Sequence, residues 1–184
     1  MIKNIIFDFG DVFINLDKEI VFREMQKYEN PELTPKLLEV SNAYEIGAIT
    51  TDAFVKELNN AILDFPDHRL EFLEQLTKEN KYRLFLLSNT NALHIAHVME
   101  SMGEQKYNRF KKCFEQFYLS HEIALRKPNT DIYEFVLKEN DLNAIETLFV
   151  DDTSENTEAA NKLGIKTWNL LVGKEDVTQL KSKF

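Results

Sequence analysis

Cysteine is nearly missing from this chain of 184 residues: it occurs once, as Cys113. A single thiol cannot close an internal disulfide, which excludes a disulfide-stapled secreted scaffold and fits a reducing compartment. Positive charge is also scarce. Lysine and arginine total 22 against 31 aspartate and glutamate residues, for a net charge of −9. That balance argues against a broad nucleic-acid footprint or a polybasic membrane patch. It leaves room for a small anionic substrate, because a metal ion or one lysine can invert the field inside a cleft. No apolar run approaches the roughly 20 residues that span a bilayer. The opening MIKNIIFDFG carries one lysine and an apolar stretch too short for a signal peptide. There is no internal repeat, low-complexity tract or Pro/Ser-rich linker. The expectation is a cytoplasmic protein with neither nucleic acid nor membrane as a partner; nothing in the sequence sets its oligomeric state.

What is present is core material. Hydrophobic residues make up 43% of the chain, including 14 phenylalanines, enough for one well-packed domain or a core with a small insertion. Residues 3–9 read as a buried strand, a short apolar run that Gly10 ends. Similar runs follow at 84–88 (LFLLS), 113–120 (CFEQFYLS), 147–152 (TLFVDD) and 166–171. Helical patterns alternate with them. NALHIAHVMESM at 91–102 opens on a capping Asn91, and NTDIYEFVLKEN at 129–140 repeats the pattern. SENTEAANKLG at 154–164 begins on a capping serine, has its acids in the first turn and ends on Gly164. This alternation predicts an α/β fold, a parallel sheet with helices on both faces. Residues 17–79 break it with helical periodicity and no convincing strand. The expected organisation is therefore a core of 1–16 and 80–184 with a small all-helical cap at 17–79.

Parallel sheets bind ligands at the carboxyl ends of their strands. The polar residues expected there are Asp8, Ser88 with Asn89, Lys127, and the pair Asp151–Asp152. Any one of them reads equally well as a turn former, a helix cap or an exposed lysine. Together their chemistry is coherent. A hard cation such as Mg²⁺ takes one or two carboxylates plus phosphate oxygens, and adjacent acids at a strand end repel unless a cation is present. Asp8 can also attack phosphorus as a carboxylate nucleophile. Ser88 and Lys127 offer a hydroxyl and a fixed positive charge to phosphoryl oxygens. The backbone N–H of Asn89, near a helix N-terminus, extends an anion site. His94 and His97 have no acid or cysteine at metal-ligand spacing and read as surface or packing residues; His121, near 126–133, reads as a loop residue, with a place lining the pocket as the alternative.

In order and spacing, FDFGDVF at 7–13, LLSNTN at 86–91, RKPNTDIY at 126–133 and FVDDTSEN at 149–156 resemble the four motifs of the haloacid dehalogenase superfamily. NAYEIGAITTDAFVKEL at 42–58 is similar to its small helical cap. The resemblance runs over nearly the whole chain. It implies a Rossmann-like core with a cap inserted after the first strand, Asp8 as nucleophile, Ser88 and Asn89 as phosphate binders, and Lys127 as charge stabiliser. For the metal it implies Asp8, the main-chain carbonyl of Gly10 and the Asp151/Asp152 pair, with Asp152 preferred as the direct ligand.

The chain departs from that pattern at one place. Phosphatases of the superfamily usually read Asp-x-Asp, the second acid protonating the leaving group; here that position is Gly10, and Asp11 follows it. A subset with Asp-x-Gly-Gly, some of them sugar phosphatases, is nearer. A positioned acid contributes roughly 10²–10⁴-fold to rate. Either Asp11 supplies the proton, or the substrates carry leaving groups that need little protonation; Asp11 also reads as a plain turn residue. The expected function is a Mg²⁺-dependent phosphomonoesterase acting on a small phosphorylated metabolite, such as a sugar phosphate, through an aspartyl-phosphate. The alternative is a weak or non-enzymatic phospho-ligand binder. A 2-haloacid dehalogenase is a third reading, disfavoured because those enzymes carry uncharged residues at the place of Asp151–Asp152.

Overall fold

The computed structural model describes residues 1–16 and 62–184. The helical patterns and the cap-like stretch 42–58 within residues 17–61 lie outside the described residues. In chain order the elements are β1 (Asn4–Phe7), β2 (Asn15–Leu16), β3 (Ile62–Asp64), α1 (Asp67–Glu79), β4 (Arg83–Ser88), α2 (Ala92–Met102) and α3 (Glu104–Lys111). There follow β5 (Gln116–Leu119), α4 (Ser120–Ile123), α5 (Thr130–Glu139), β6 (Thr147–Asp151), α6 (Ser154–Lys162) and β7 (Lys166–Asn169). Short 3-10 turns at Ala144–Glu146 and Val177–Ser182 complete the described chain.

Five strands form one sheet in the order β5-β4-β1-β6-β7, and every pair is parallel. Side-chain alternation along β1 explains the three layers. Ile5 and Phe7 enter one apolar cluster with Leu84, Leu86, Leu148 and Val150, covered by α1, α2 and α3. Ile6 enters the other with Phe85, Leu87 and Phe149, covered by α5 and α6. Both faces of the sheet are buried, so its strands read as continuous apolar runs. The expected α/β fold, a Rossmann-like parallel sheet with helices on both faces, is the one observed.

Local signals fixed several ends. Asn91 caps α2, its side chain accepting from His94 N at 2.9 Å. Gly164, at φ +82°, ends α6, where its N–H reaches Asn161 O at 2.9 Å. Ser154 is the first residue of α6, and Thr153 stands in the cap position without a side-chain bond. The third core strand begins later than its apolar run: Cys113 N and Phe114 N donate to Phe110 O and Lys111 O, closing the end of α3, and pairing starts with Glu115 N on Leu84 O.

Two expectations change. Residues 62–64, inside the stretch read as all helix, form a strand, and β3 pairs antiparallel with β2 (Asn15↔Asp64, Leu16↔Ile62). Asn15 Nδ2 donates to Asp64 Oδ1 at 2.6 Å across that ribbon. A strand of three residues, Ile-Leu-Asp, is too short to be assigned by periodicity alone. The second change concerns the boundary set at residue 79. Leu70, Leu73 and Leu76 of α1 are buried in the same cluster as Ile5 and Phe7. On that packing, α1 lies on the core sheet, although it falls within the 17–79 stretch expected to form the cap. No helix among the described residues is long and apolar enough to cross a membrane.

Candidate active site

Register brings the predicted residues to one edge. Phe7 pairs with Leu86 on one side and with Val150 on the other. The residues just beyond, Asp8, Ser88 and Asp151, therefore stand together at the carboxyl ends of β1, β4 and β6. Asp8 N donates to Val150 O at 2.8 Å, extending the ladder by one residue and fixing where its side chain emerges.

Lys127 arrives from the segment between α4 and α5. Its side chain is 1% exposed, and Nζ donates to Asp8 Oδ1 and to Asp151 Oδ2, both at 2.7 Å. Lys127 is held from the main chain as well: Asn89 Nδ2 donates to Lys127 O at 2.8 Å, and Lys127 N donates to Asn89 Oδ1 at 2.9 Å. The side chain of Asn89 thus fastens the loop that carries the lysine. Thr90, next along, bonds to Ser120 through both its N–H and its carbonyl. Ser88 is buried at the end of β4.

Asp151 is fully buried. Besides Lys127, its carboxylate accepts from Thr153 N at 2.8 Å and from Asn156 Nδ2 at 3.0 and 3.1 Å. Asn156 is in turn held by Tyr133, whose hydroxyl donates to Asn156 O at 2.9 Å. Asp152 is half-buried. Its carbonyl accepts from Asn169 Nδ2 at 2.9 Å. One carboxylate oxygen from each of Asp8, Asp151 and Asp152 lies within 4.8 Å of the others.

Burial pushes the Asp8 carboxyl up to about 7; Lys127 opposes that rise, and Asp151 and Asp152 add to it. Burial alone would lower Lys127, but Asp8 and Asp151 outweigh it and hold the ammonium above its usual range. Three carboxylates within reach of one another, two of them on one ammonium, form a donor set that suits a hard divalent cation.

Asp11 belongs to the turn that follows β1. It has φ +53°, is 4% exposed, and its Oδ1 accepts from Leu16 N at 3.0 Å, at the start of the ribbon. A Cβ at Gly10 would stand 2.9 Å from Leu16 Cδ1. His94 bonds to Thr90 Oγ1 at 3.0 Å through Nδ1, and burial lowers it to about 4. His121 Nδ1 lies 3.1 Å from Thr90 O. Both rings thus bond to Thr90, in the segment that follows β4. Reading the sequence overlooked Asn156 and Tyr133. Asn156 lies in the first turn of a helix that leaves the Asp151 strand, the place from which a side chain reaches back to the strand end.

Residues 5–170 match the family described as haloacid dehalogenase-like hydrolase. A D-ribitol-5-phosphate phosphatase of Bacteroides thetaiotaomicron is 27% identical over 190 residues, covering 91% of each chain. An HAD family enzyme from the same organism, solved as a magnesium complex, superposes with a TM-score of 0.77 at 30% identity, covering 99% of each chain. That enzyme is also known with magnesium and inorganic phosphate bound (TM-score 0.69, 27% identity, 95% of this chain and 97% of that one). With the four strand-end motifs brought to one edge and the family match spanning nearly all of the sheet, the chain belongs to the haloacid dehalogenase-like hydrolases.

Proposed function

We propose that the protein is a Mg²⁺-dependent phosphomonoesterase acting on a small phosphorylated metabolite of the sugar- or polyol-phosphate class. The observation that carries this reading is the buried Asp8–Lys127–Asp151 arrangement with Asp152 within 4.8 Å, at the carboxyl edge of a parallel sheet. The relative that hydrolyses D-ribitol 5-phosphate supports the substrate class.

The roles follow from position. An Asp8 oxygen attacks phosphorus and the P–O ester bond breaks, leaving an aspartyl-phosphate and an alkoxide that takes up a proton to become the alcohol. Water then attacks phosphorus, the acyl-phosphate P–O bond breaks, and inorganic phosphate leaves with the Asp8 carboxylate restored. Lys127 holds a fixed positive charge beside the oxygens whose charge grows in the transition state. Ser88 and the N–H of Asn89 bind the phosphoryl group. Asp8, Asp152 and the Gly10 carbonyl would hold Mg²⁺, with Asp151 beside them. When bound, the cation supplies charge neutralisation and keeps the Asp8 carboxylate ionised.

A second reading, a phosphate-binding protein with little turnover, draws on Gly10, which carries no acid, and on Asp11, whose Oδ1 is engaged by Leu16 N. Phosphate release from p-nitrophenyl phosphate and from a panel of sugar and polyol phosphates, with and without Mg²⁺, separates the two. Metal-dependent turnover that disappears in Asp8→Asn supports the enzyme. Turnover surviving that change removes the aspartyl-phosphate, and halide release from 2-haloacids without metal would favour dehalogenation.

A further inference from the structure

The adjacent acids Asp151 and Asp152 occupy different surroundings, and the difference has a consequence for the lysine. A carboxylate offers about four lone-pair positions. In Asp151 they are met by Lys127 Nζ on Oδ2, Thr153 N on Oδ1, and Asn156 Nδ2 shared between both oxygens. The group is wholly buried among these donors. To reach a cation at the roughly 2.1 Å that Mg²⁺ requires, it would have to surrender one of them. Asp152 is half-buried one residue further on, where the chain turns into α6.

Resting on the phosphatase reading above, we infer that Asn156 is a positioning residue that commits Asp151 to Lys127 and so leaves the cation to Asp8 and Asp152. Asn156 suits this task. Its amide is a neutral donor that spans both Asp151 oxygens, whereas an acid at that place would repel them. Its own backbone is pinned by the buried Tyr133 hydroxyl, and it lies on the first turn of α6. The arrangement matters most during turnover. Lys127 bridges Asp8 and Asp151 at the same 2.7 Å. When Asp8 becomes an acyl phosphate it no longer offers that oxygen as an anion. Asp151 then remains the anchor that keeps the ammonium beside the phosphoryl group, and Asn156 keeps Asp151 from turning toward the metal.

The test measures metal and phosphate separately from turnover. Purified metal-free wild type, Asn156→Ala, Asp151→Asn and Asp152→Asn are titrated calorimetrically with Mg²⁺ and with inorganic phosphate, and kcat and KM are measured on p-nitrophenyl phosphate. Asp152→Asn is expected to abolish the Mg²⁺ binding heat. Asn156→Ala and Asp151→Asn are expected to retain Mg²⁺ affinity while kcat falls about 10–100-fold, the range for partners that orient a functional group. Loss of Mg²⁺ affinity in Asp151→Asn equal to that in Asp152→Asn overturns the division, as does an Asn156→Ala enzyme with unchanged kcat. A crystal structure of the unaltered protein with Mg²⁺ decides the matter even if a variant does not fold: a cation on Asp152, with Asp151 still on Lys127, supports it, and a cation on Asp151 overturns it. Wild type that binds Mg²⁺ but hydrolyses no monoester would remove the functional reading while this division of the acids stood.

Discussion

Leu16 fills the space above Gly10. A Cβ at position 10 would meet Leu16 Cδ1 at 2.9 Å, closer than side-chain atoms pack. Leu16 thus occupies the place a side chain at position 10 would take, the position where the Asp-x-Asp pattern of the resemblance would have its second acid. The contact is to the tip of a flexible side chain, so Gly10→Ala should cost about 1 kcal/mol, the low end of overpacking. That corresponds to a Tm lower by about 2–4 °C for a chain of this size. In a Leu16→Ala background the penalty should vanish. Thermal unfolding of the four proteins of this double-mutant cycle measures it, and strictly additive shifts would mean the two residues do not govern each other.

The same pair sets an expectation for chemistry. Gly10→Asp combined with Leu16→Ala should raise turnover of alkyl phosphates, whose alkoxides need a proton, more than that of p-nitrophenyl phosphate. A positioned acid contributes roughly 10²–10⁴-fold, and recovering even a tenth of it would separate the substrates clearly. Steady-state rates on both ester types are the measurement; equal changes on the two would exclude leaving-group protonation as the missing element.

The Asp8 carboxyl, pushed up by burial to about 7 from an ordinary 3.8, makes metal-free stability depend on pH. Between those values the folded protein binds more protons at Asp8 than the unfolded chain does. Its contribution to stability is therefore greatest at low pH and declines as pH rises from about 4 to about 7. Mg²⁺ binds the ionised carboxylate, so its stabilising effect should grow over the same interval. Thermal shifts with saturating Mg²⁺ are expected to be larger at pH 8 than at pH 5.5. Equal shifts at both would place the metal away from Asp8. Burial holds His94 near 4, below its ordinary 6.5, so in the metal-free protein it acts in the opposite direction, adding stability as pH rises from about 4 to about 6.5; it cancels from the Mg²⁺-induced shift because it is the same with and without the cation.

What the sequence made legible is what depends on short segments. Asp8, Ser88 and Asp151 follow apolar runs too long and too β-rich to be loops, and parallel pairing puts such residues on one edge whatever the intervening chain does. The strand at Ile62–Asp64 was hidden because its partner, Asn15–Leu16, lies some 50 positions earlier and is only two residues long. The leucines of α1 have a helical period that is the same whether they face a cap or a sheet; only packing shows that they belong with Phe7. Asn156 was invisible for a related reason. Its amide acquires meaning from Asp151, Thr153 and Tyr133 converging on it, and spacing alone does not reveal that Tyr133, 23 residues away, fixes its backbone.

Asn89 offers a way to disturb the lysine without touching its charge. Its side chain makes both bonds to the Lys127 main chain, at 2.8 and 2.9 Å, and is itself exposed. Asn89→Ala should remove about 0.5–1.5 kcal/mol for each bond at most, leaving a folded protein. Its kcat should fall about tenfold or more as the loop carrying Lys127 loosens, in keeping with the effect of lost orienting partners. Steady-state kinetics beside a melting curve tests this; a fall in KM affinity alone, with kcat intact, would assign Asn89 to ground-state binding of phosphate instead.

Removing the lysine itself should have a larger effect, and one that depends on pH. Lys127→Met keeps the length of the side chain but leaves Asp8 and Asp151 facing each other across a buried gap that the ammonium now bridges at 2.7 Å on each side. Breaking a buried ion pair by deleting one partner costs roughly 3–5 kcal/mol, and that deficit is expected at pH 8. Acidification should reduce it, because protonated Asp8 needs no counter-charge, and burial already favours its neutral form. Lys127→Arg should not restore activity: a planar guanidinium cannot occupy a pocket shaped for a single ammonium between two carboxylates. Chemical denaturation of wild type and Lys127→Met at pH 5.5 and pH 8 provides the check. A deficit that stays constant across that range would mean the lysine stabilises the fold by packing against Phe149, 5.4 Å from its ring centre, and not by balancing the two acids.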